Sequence, residues 1–202
     1  MLRMNQTTAR SYYDLHIHSR GSQDSQLPVK WIITRCAELG LAGFAVTDHD
    51  VLTKVKCSYP ELLAIPGEEV STSEGHVLAL GISEQISVGL SPLETIELIH
   101  DQGAVAIASH PFSSKEGFPG LGDHAYGLDL DGLEVTNPKA HVDNSRARKV
   151  AGSLGIAKVG GSDAHTIDMI GKGLTVLGDG AETVDDLLSA VRKRKSDGIL
   201  RV

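Results

Sequence analysis

Short apolar runs recur along this chain, each closed by polar or glycine-containing residues. They are YYDLHIH (12–18), GFAVTDHD (43–50), LLAIPGEEVST (62–72), HVLALGI (76–82), AVAIASHP (104–111), DGLEVTN (131–137) and AKVGGSDAH (157–165). Runs of about four to eight residues rich in β-branched side chains predict strands buried on both faces, as in a parallel sheet. Four stretches between or after them carry helical periodicity. PVKWIITRCAELG (28–40) opens with Pro28 near the first helical position and stops at Gly40, and NSRARKVAGSLG (144–155) ends at Gly155. SPLETIELIHDQG (91–103) has Ser91 as N-cap with Pro92 and Glu94 behind it, and TVDDLLSAVRKRK (183–195) puts acids in its first turn and bases in its last. Strand and helix alternate, which predicts βα units wound into a barrel or an open α/β sheet.

No linker, repeat or low-complexity tract breaks this rhythm, so residues 1–202 read as one domain. The longest irregular region is the glycine-rich segment 111–130. One βα unit is truncated: after the second strand only VLTKVKCSYPE (51–61) precedes the third, too short and too interrupted by Pro60 for a helix.

Composition narrows the function. The net charge of −7 argues against a protein that grips duplex nucleic acid by broad phosphate neutralisation, because that footprint is basic. Cys36 and Cys57 form no disulfide framework or CxxC pair, which points to a reducing cytoplasm. No stretch approaches the ~20 apolar residues of a membrane span, and residues 1–13 lack the apolar middle of a secretory signal. The excess lies in histidine, nine against four tyrosines and three phenylalanines, so chemistry is sought there first.

The histidines and several carboxylates gather where strands end. His16 and His18 close the first run, Asp48 and His49 the second, Glu69 the third, His110 the fifth, and Asp163 with His165 the last. In parallel α/β folds the loops leaving that edge converge to build active sites. His76 begins its strand, and an antiparallel strand or a hairpin over 68–76 brings it to the same edge. Period-two spacing sends His16 and His18 to one face, with Leu15 and Ile17 on the other, so two imidazoles can meet one ion. His, Asp and Glu donors without cysteine favour a divalent cation such as Zn, Mn or Fe over a structural thiolate zinc site. So many polar groups buried without cations would cost about 1–3 kcal/mol for each one left unpaired.

These segments resemble the PHP (polymerase and histidinol phosphatase) family of metal-dependent phosphoesterases, and the likeness runs from about 13 to 177. It is carried by DLHIHSRGSQDS, GFAVTDHD, IPGEEVSTSEGHVLALGI, AIASHPF, DGLEVTN and GGSDAH in the family's order. The resemblance implies a distorted, TIM-like, seven-stranded βα barrel with two or three divalent metal ions (Mn, Fe or Zn). Position by position, it implies that His16 and His18 join Glu69 and Asp163 around a first metal. Asp24, His49 and His165 correspond to a second, and Glu69 bridges to a third held by His76 and His110. Two features depart from the family's pattern: Ser22-Gln23-Asp24-Ser25 stands where many members read S-D-G, and the unit after TDHD is shortened.

The chemistry so implied is hydrolysis of a phosphomonoester or a small phosphodiester by hydroxide generated on the metals at neutral pH. Three divalent ions among Asp24, Glu69 and Asp163 leave the pocket net positive and attractive to anions. The partner is a small phosphorylated substrate, with a nucleotide or an oligonucleotide end included and a membrane excluded. Arg20, Lys115, Lys139 and His141 lie in or near loops leaving the active edge and are candidates for holding phosphate or serving a leaving group. Asp48 and Asp50 either orient His49 or cap the turn after it. His100 and His124 match no ligand position. Two other readings stay open: a metal-binding PHP module without turnover, and a metal-dependent hydrolase of C–N or ester bonds.

Overall fold

In the computed structural model, residues 10–116 and 119–201 are described. Residues 1–9, read above for a leader, and 117–118 of the glycine-rich segment lie outside them. In chain order the elements are β1 (Ser11–Ile17), α1 (Val29–Glu38), β2 (Gly43–Val46), β3 (Leu63–Ser71), β4 (His76–Leu80), α2 (Pro92–Asp101) and β5 (Val105–Ala108). They continue with a 3₁₀ turn (Gly122–Gly127), β6 (Gly132–Thr136), α3 (Asn144–Leu154), β7 (Ala157–Gly160), β8 (Gly173–Leu177), α4 (Val184–Arg192) and β9 (Ser196–Leu200).

All seven expected strands form, but two more join them, and the sheet is mixed rather than parallel. Its order is β7-β6-β5-β4-β3-β2-β1-β8-β9. The pairs β1–β2, β2–β3, β5–β6 and β6–β7 are parallel, whereas β3–β4, β4–β5, β1–β8 and β8–β9 are antiparallel. The extra strands were hard to read because GLTVL is a short run between glycines and SDGIL follows a basic stretch with little apolar content. Residues 51–60 carry no helix or strand between β2 and β3.

The helix boundaries follow local chemistry. Ser91 and Glu94 form a capping box at α2, and Thr183 does the same with Asp186 at α4. Asp143 accepts from the backbone N–H of Arg146 to start α3, and Gly155 stops it in the left-handed conformation (φ 63°). Pro28 stands one position earlier than expected, at the N-cap of α1.

The sheet curls until its ends meet, giving a nearly closed barrel. Near the β9 end, a Cβ on Gly198 would lie 2.8 Å from Oγ1 of Thr136 in β6, so only glycine permits the approach. Arg148 of α3 clamps this seam, pairing with Asp197 (2.6 Å) and donating to the Gly198 carbonyl (2.5 Å). At the opposite edge, β1 bridges directly to the segment after β7, where His18 N–H donates to the Ala164 carbonyl at 2.9 Å.

Inside, Tyr13, Leu15, Ala45, Ile65, Leu78, Ile107 and Val159 form one cluster, sealed from below by Leu187, Leu188 and Val191 of α4. Burial of each such side chain contributes on the order of 1.5–3 kcal/mol. Ile17 does not share this surrounding with Leu15. It packs with Ile32 and Cys36 of α1 and with Phe44. The pairing of β1 with β2 shifts register between Asp14 and Ile17, an irregularity that breaks the strict alternation expected there. Leu15 therefore stays in the interior while His16 and His18 still share a face above it.

Candidate metal centre

The nine residues singled out in the sequence converge on one edge of the barrel. Nε2 of His16 and Nε2 of His18 lie 3.0 Å apart. Oε2 of Glu69 is 3.2 and 3.3 Å from these two nitrogens, and Oδ1 of Asp163 is 3.9 and 3.5 Å from them. Donors around a tetrahedral ion at the usual bond lengths are separated by about 3.3–3.6 Å; His16, His18 and Glu69 offer atoms close enough to share one cation, and Asp163 stands beside that set. Oδ1 of Asp163 is buried and, among the described residues, has no hydrogen-bond partner. A buried carboxylate oxygen without a donor is costly, and a cation is what would satisfy it.

Glu69 is the hub. Its Oε2 also stands 3.3 Å from Nδ1 of His49, while Oε1 faces Nδ1 of His76 (3.3 Å), Nε2 of His110 (3.0 Å) and the hydroxyl of Ser109 (2.5 Å). On the outer side, Oδ2 of Asp24 lies 2.8 Å from Nε2 of His165 and 3.6 Å from Nε2 of His49. His18, Asp24, His49 and His165 form one set of donor atoms close enough to share an ion, and His49, Glu69 and His76 form another. His49 thus faces both the Asp24 side and the Glu69 side, where the resemblance implied only the former.

The fold presents these groups through special backbone. His76 reaches the edge through the β3–β4 hairpin, pairing across from Ser71. His110 and Asp163 follow β5 and β7 with φ of 27° and 50°, a conformation that costs non-glycine residues on the order of 1–3 kcal/mol and clusters at functional sites.

Three imidazoles are oriented from behind. Nδ1 of His18 lies 3.0 Å from the Ser22 hydroxyl, which accepts from His49 N–H and donates to Asp48. Nδ1 of His165 donates to the Asp163 carbonyl, and Nδ1 of His16 lies 3.0 Å from Oε1 of Glu134. With Nδ1 carrying the proton, each Nε2 turns a lone pair to the cluster. Among the described residues Asp48 makes no hydrogen bond to the His49 ring; Ser22 bridges its carboxylate to the His49 N–H. Asp48 organises the loop after β1, accepting from the Ser19 backbone and hydroxyl, Ser22 and Thr53. Asp50 accepts from Ser71 N–H, a turn contact.

Charges inside the cluster shift one another strongly. Burial opposes charging of His16, but Glu69, Glu134 and Asp163 outweigh it and raise its pKa well above the ordinary imidazole value. Burial would lift the Glu69 carboxyl, yet the surrounding imidazoles, His16 foremost, hold it well below the usual range. Asp163 is lowered in the same way by His16 and His18, and Asp24 by His165. His49 goes the other way, pushed down by burial.

The substrate-side candidates are more dispersed. Arg20 is exposed and its Nε donates to the Gln26 carbonyl. Lys115 is exposed, and its loop is joined to that of His141 by Ser114, which donates twice to the His141 carbonyl. Burial, with the Lys115 charge beside it, lowers the His141 imidazole. His100 and His124 stand outside the cluster, paired with Asp131 and Glu74.

Sequence reasoning missed Glu134 and Asn137, both fully buried under the site. It also passed over Asp14, which accepts from the backbone of Ser162 and Gly171 and whose burial raises its pKa to about 6. An acid in the middle of a strand was the available signal.

Two family models match this chain, the PHP domain over residues 14–91 and the PHP-associated region over 141–196. The uncharacterized protein MJ1587 of Methanocaldococcus jannaschii is 37% identical over 139 residues, which span 61% of this chain and 80% of that one. A two-domain protein from Bacteroides vulgatus, containing a predicted PHP-like metal-dependent phosphoesterase, superposes with a TM-score of 0.74 at 18% identity over 97% of this chain and 66% of its own. PsfC from Pseudomonas syringae does so with a TM-score of 0.73 at 19% identity, over 96% and 92%. Motifs in order, a barrel with converging histidines and both family models agree, and the chain belongs to the PHP domain family.

Proposed function

We propose that this chain is a phosphoesterase that hydrolyses a phosphomonoester or a small phosphodiester at a centre of two or three divalent ions (Mn, Fe or Zn). The observation that carries the reading is Glu69, one buried carboxylate with five imidazoles within 3.3 Å of its two oxygens. In this reading His16, His18, Glu69 and Asp163 hold the innermost ion, Asp24, His49 and His165 an outer one, and His76 with His110 a third through Glu69. Bound divalent ions supply hydroxide at neutral pH and positive charge for the phosphoryl and leaving oxygens.

The residues do the rest. Ser22, Glu134 and the Asp163 carbonyl fix which imidazole nitrogen faces the centre. Ser109 holds one Glu69 oxygen in place, and Asp24, the most open of the nine, stands at the entrance. In this reading Arg20, Lys115 and His141, on loops near the active edge, meet a phosphate or a departing group. Support for a nucleotide or an oligonucleotide end comes from the anion-attracting centre together with the absence of a broad basic surface in the composition. A cytoplasmic location is supported by two free cysteines. Among the described residues no helix is long and apolar enough to cross a membrane.

The test is elemental analysis of protein purified without chelator, coupled to a panel of phosphomonoesters, phosphodiesters and carboxylic esters or amides with each metal restored. Phosphate ester turnover with bound metal is expected. Bound metal with no phosphate release from any substrate would replace this reading with a binding module, and turnover of carbonyl substrates alone with a C–N or ester hydrolase.

A further inference from the structure

Glu134 sits in β6, fully buried, and meets the cluster from behind, at the His16 ring nitrogen opposite the one that faces His18 and Glu69. Its two oxygens face different partners. Oε1 lies 3.0 Å from Nδ1 of His16. Oε2 accepts from the backbone N–H of His110 (2.8 Å) and from Nδ2 of Asn137 (3.1 Å). Asn137 also donates to Oδ2 of Asp163 at 3.3 Å. One buried unit therefore touches three candidate ligands from three places on the barrel: the His16 ring, the His110 backbone at its unusual φ, and the Asp163 carboxylate.

We propose that Glu134, with Asn137, is a positioning residue that sets the His16 tautomer and pins His110 and Asp163 for metal binding. The proposal rests on the reading of the cluster as a metal centre. The chemistry is one of donor and acceptor count. Two N–H donors already converge on Oε2, so the only role left for Oε1 that keeps His16 useful is to accept from Nδ1–H. That leaves the Nε2 lone pair directed at His18, Glu69 and Asp163.

Replacement by glutamine separates this role from simple packing, because size and shape are kept. The two donors on the Oε2 side force the amide oxygen to that side, so the NH₂ group faces His16. Nδ1 must then accept, the ring proton moves to Nε2, and Nε2 can no longer ligate. Replacement by aspartate keeps an acceptor for Nδ1 and should retain most of the effect that glutamine loses.

The experiment is a Zn²⁺ titration of metal-free wild type, E134Q, E134D, H16A and the double variant E134Q/H16A, with thermal unfolding of each and ¹⁵N spectra of the His16 ring in the Zn²⁺-loaded forms. E134Q is expected to bind the His16-dependent equivalent roughly 10–100-fold more weakly, with E134D nearer wild type. In the H16A background the E134Q change should have no further effect on affinity, a non-additivity that general destabilisation does not produce. The wild-type spectrum should show the proton on Nδ1. Wild-type affinity in E134Q, additive losses in the double variant, or a wild-type His16 proton on Nε2 would each overturn the proposal. If E134Q does not fold, the wild-type spectrum and E134D decide. A wild type that binds no Zn²⁺ would instead remove the metal-centre reading itself.

Discussion

Oδ2 of Asp24 lies 2.8 Å from Nε2 of His165, so the loop after β1 and the loop after β7 meet at the mouth of the cluster. The contact depends on SRGSQDS folding back over the barrel edge, which Asp48 secures by accepting from Ser19 and Ser22. Because Asp24 is the most open of the candidate ligands, Asp24→Ala should leave the fold intact, with a stability change within about 0.5 kcal/mol. Elemental analysis should show the loss of one metal equivalent, with at least a ~10-fold drop in turnover. Unchanged stoichiometry would remove Asp24 from the ligand set.

The inner donors should behave differently. His16→Ala or Asp163→Ala is expected to abolish hydrolysis and to reduce bound metal, while circular dichroism shows the chain still folded. Purified His16→Ala with unchanged turnover would sink the assignment. The contrast with Asp24→Ala arises from burial, since neither His16 nor Asp163 can be replaced by solvent.

Metal affinity should rise with pH. Burial opposes protonation of His16, His18 and His110, but Glu69 and its neighbours outweigh it and raise all three. Without metal the cluster therefore keeps protons above the usual imidazole range, with no more than one between the Nε2 atoms of His16 and His18, 3.0 Å apart, and an imidazolium cannot ligate. A cation must therefore displace protons, and lowering pH must weaken binding. Calorimetric titration near neutral pH in two buffers of different ionisation enthalpy is expected to show net proton release, and no buffer dependence would contradict the charge assignment.

Gly161 separates the two layers of the site. A Cβ there would collide with Cβ of His16 and lie 2.8 Å from Oε1 of Glu134. Gly161→Ala should cost about 1–3 kcal/mol by overpacking and weaken metal binding at the same time. Denaturant unfolding alongside metal titration checks both, and a variant with normal affinity would show that the His16–Glu134 geometry tolerates displacement.

The sequence by itself determined a great deal here. Seven strands, four helices and most of the residues that converge were readable, because apolar runs, helical periodicity and polar strand ends are local properties of the chain; Asp24, in the loop after β1, was read only through the family resemblance. Local patterns could not settle closure. β8 and β9 are short and contain glycine, and they are strands because β1 offers β8 an edge, β8 offers one to β9, and β9 closes against β7 at the far end of the sheet. Nor could alternation place Leu15 and Ile17, because the irregularity between Asp14 and Ile17 exists only once β1 pairs with β2. The same holds for Glu134. In DGLEVTN it is an acid within a buried strand, and only the approach of β1 to the end of β7 puts His16 against it. Donor types and their order are written in the chain, whereas the partner each donor meets is set by tertiary contacts, such as that of His16 with Glu134 and that of His165 with Asp24.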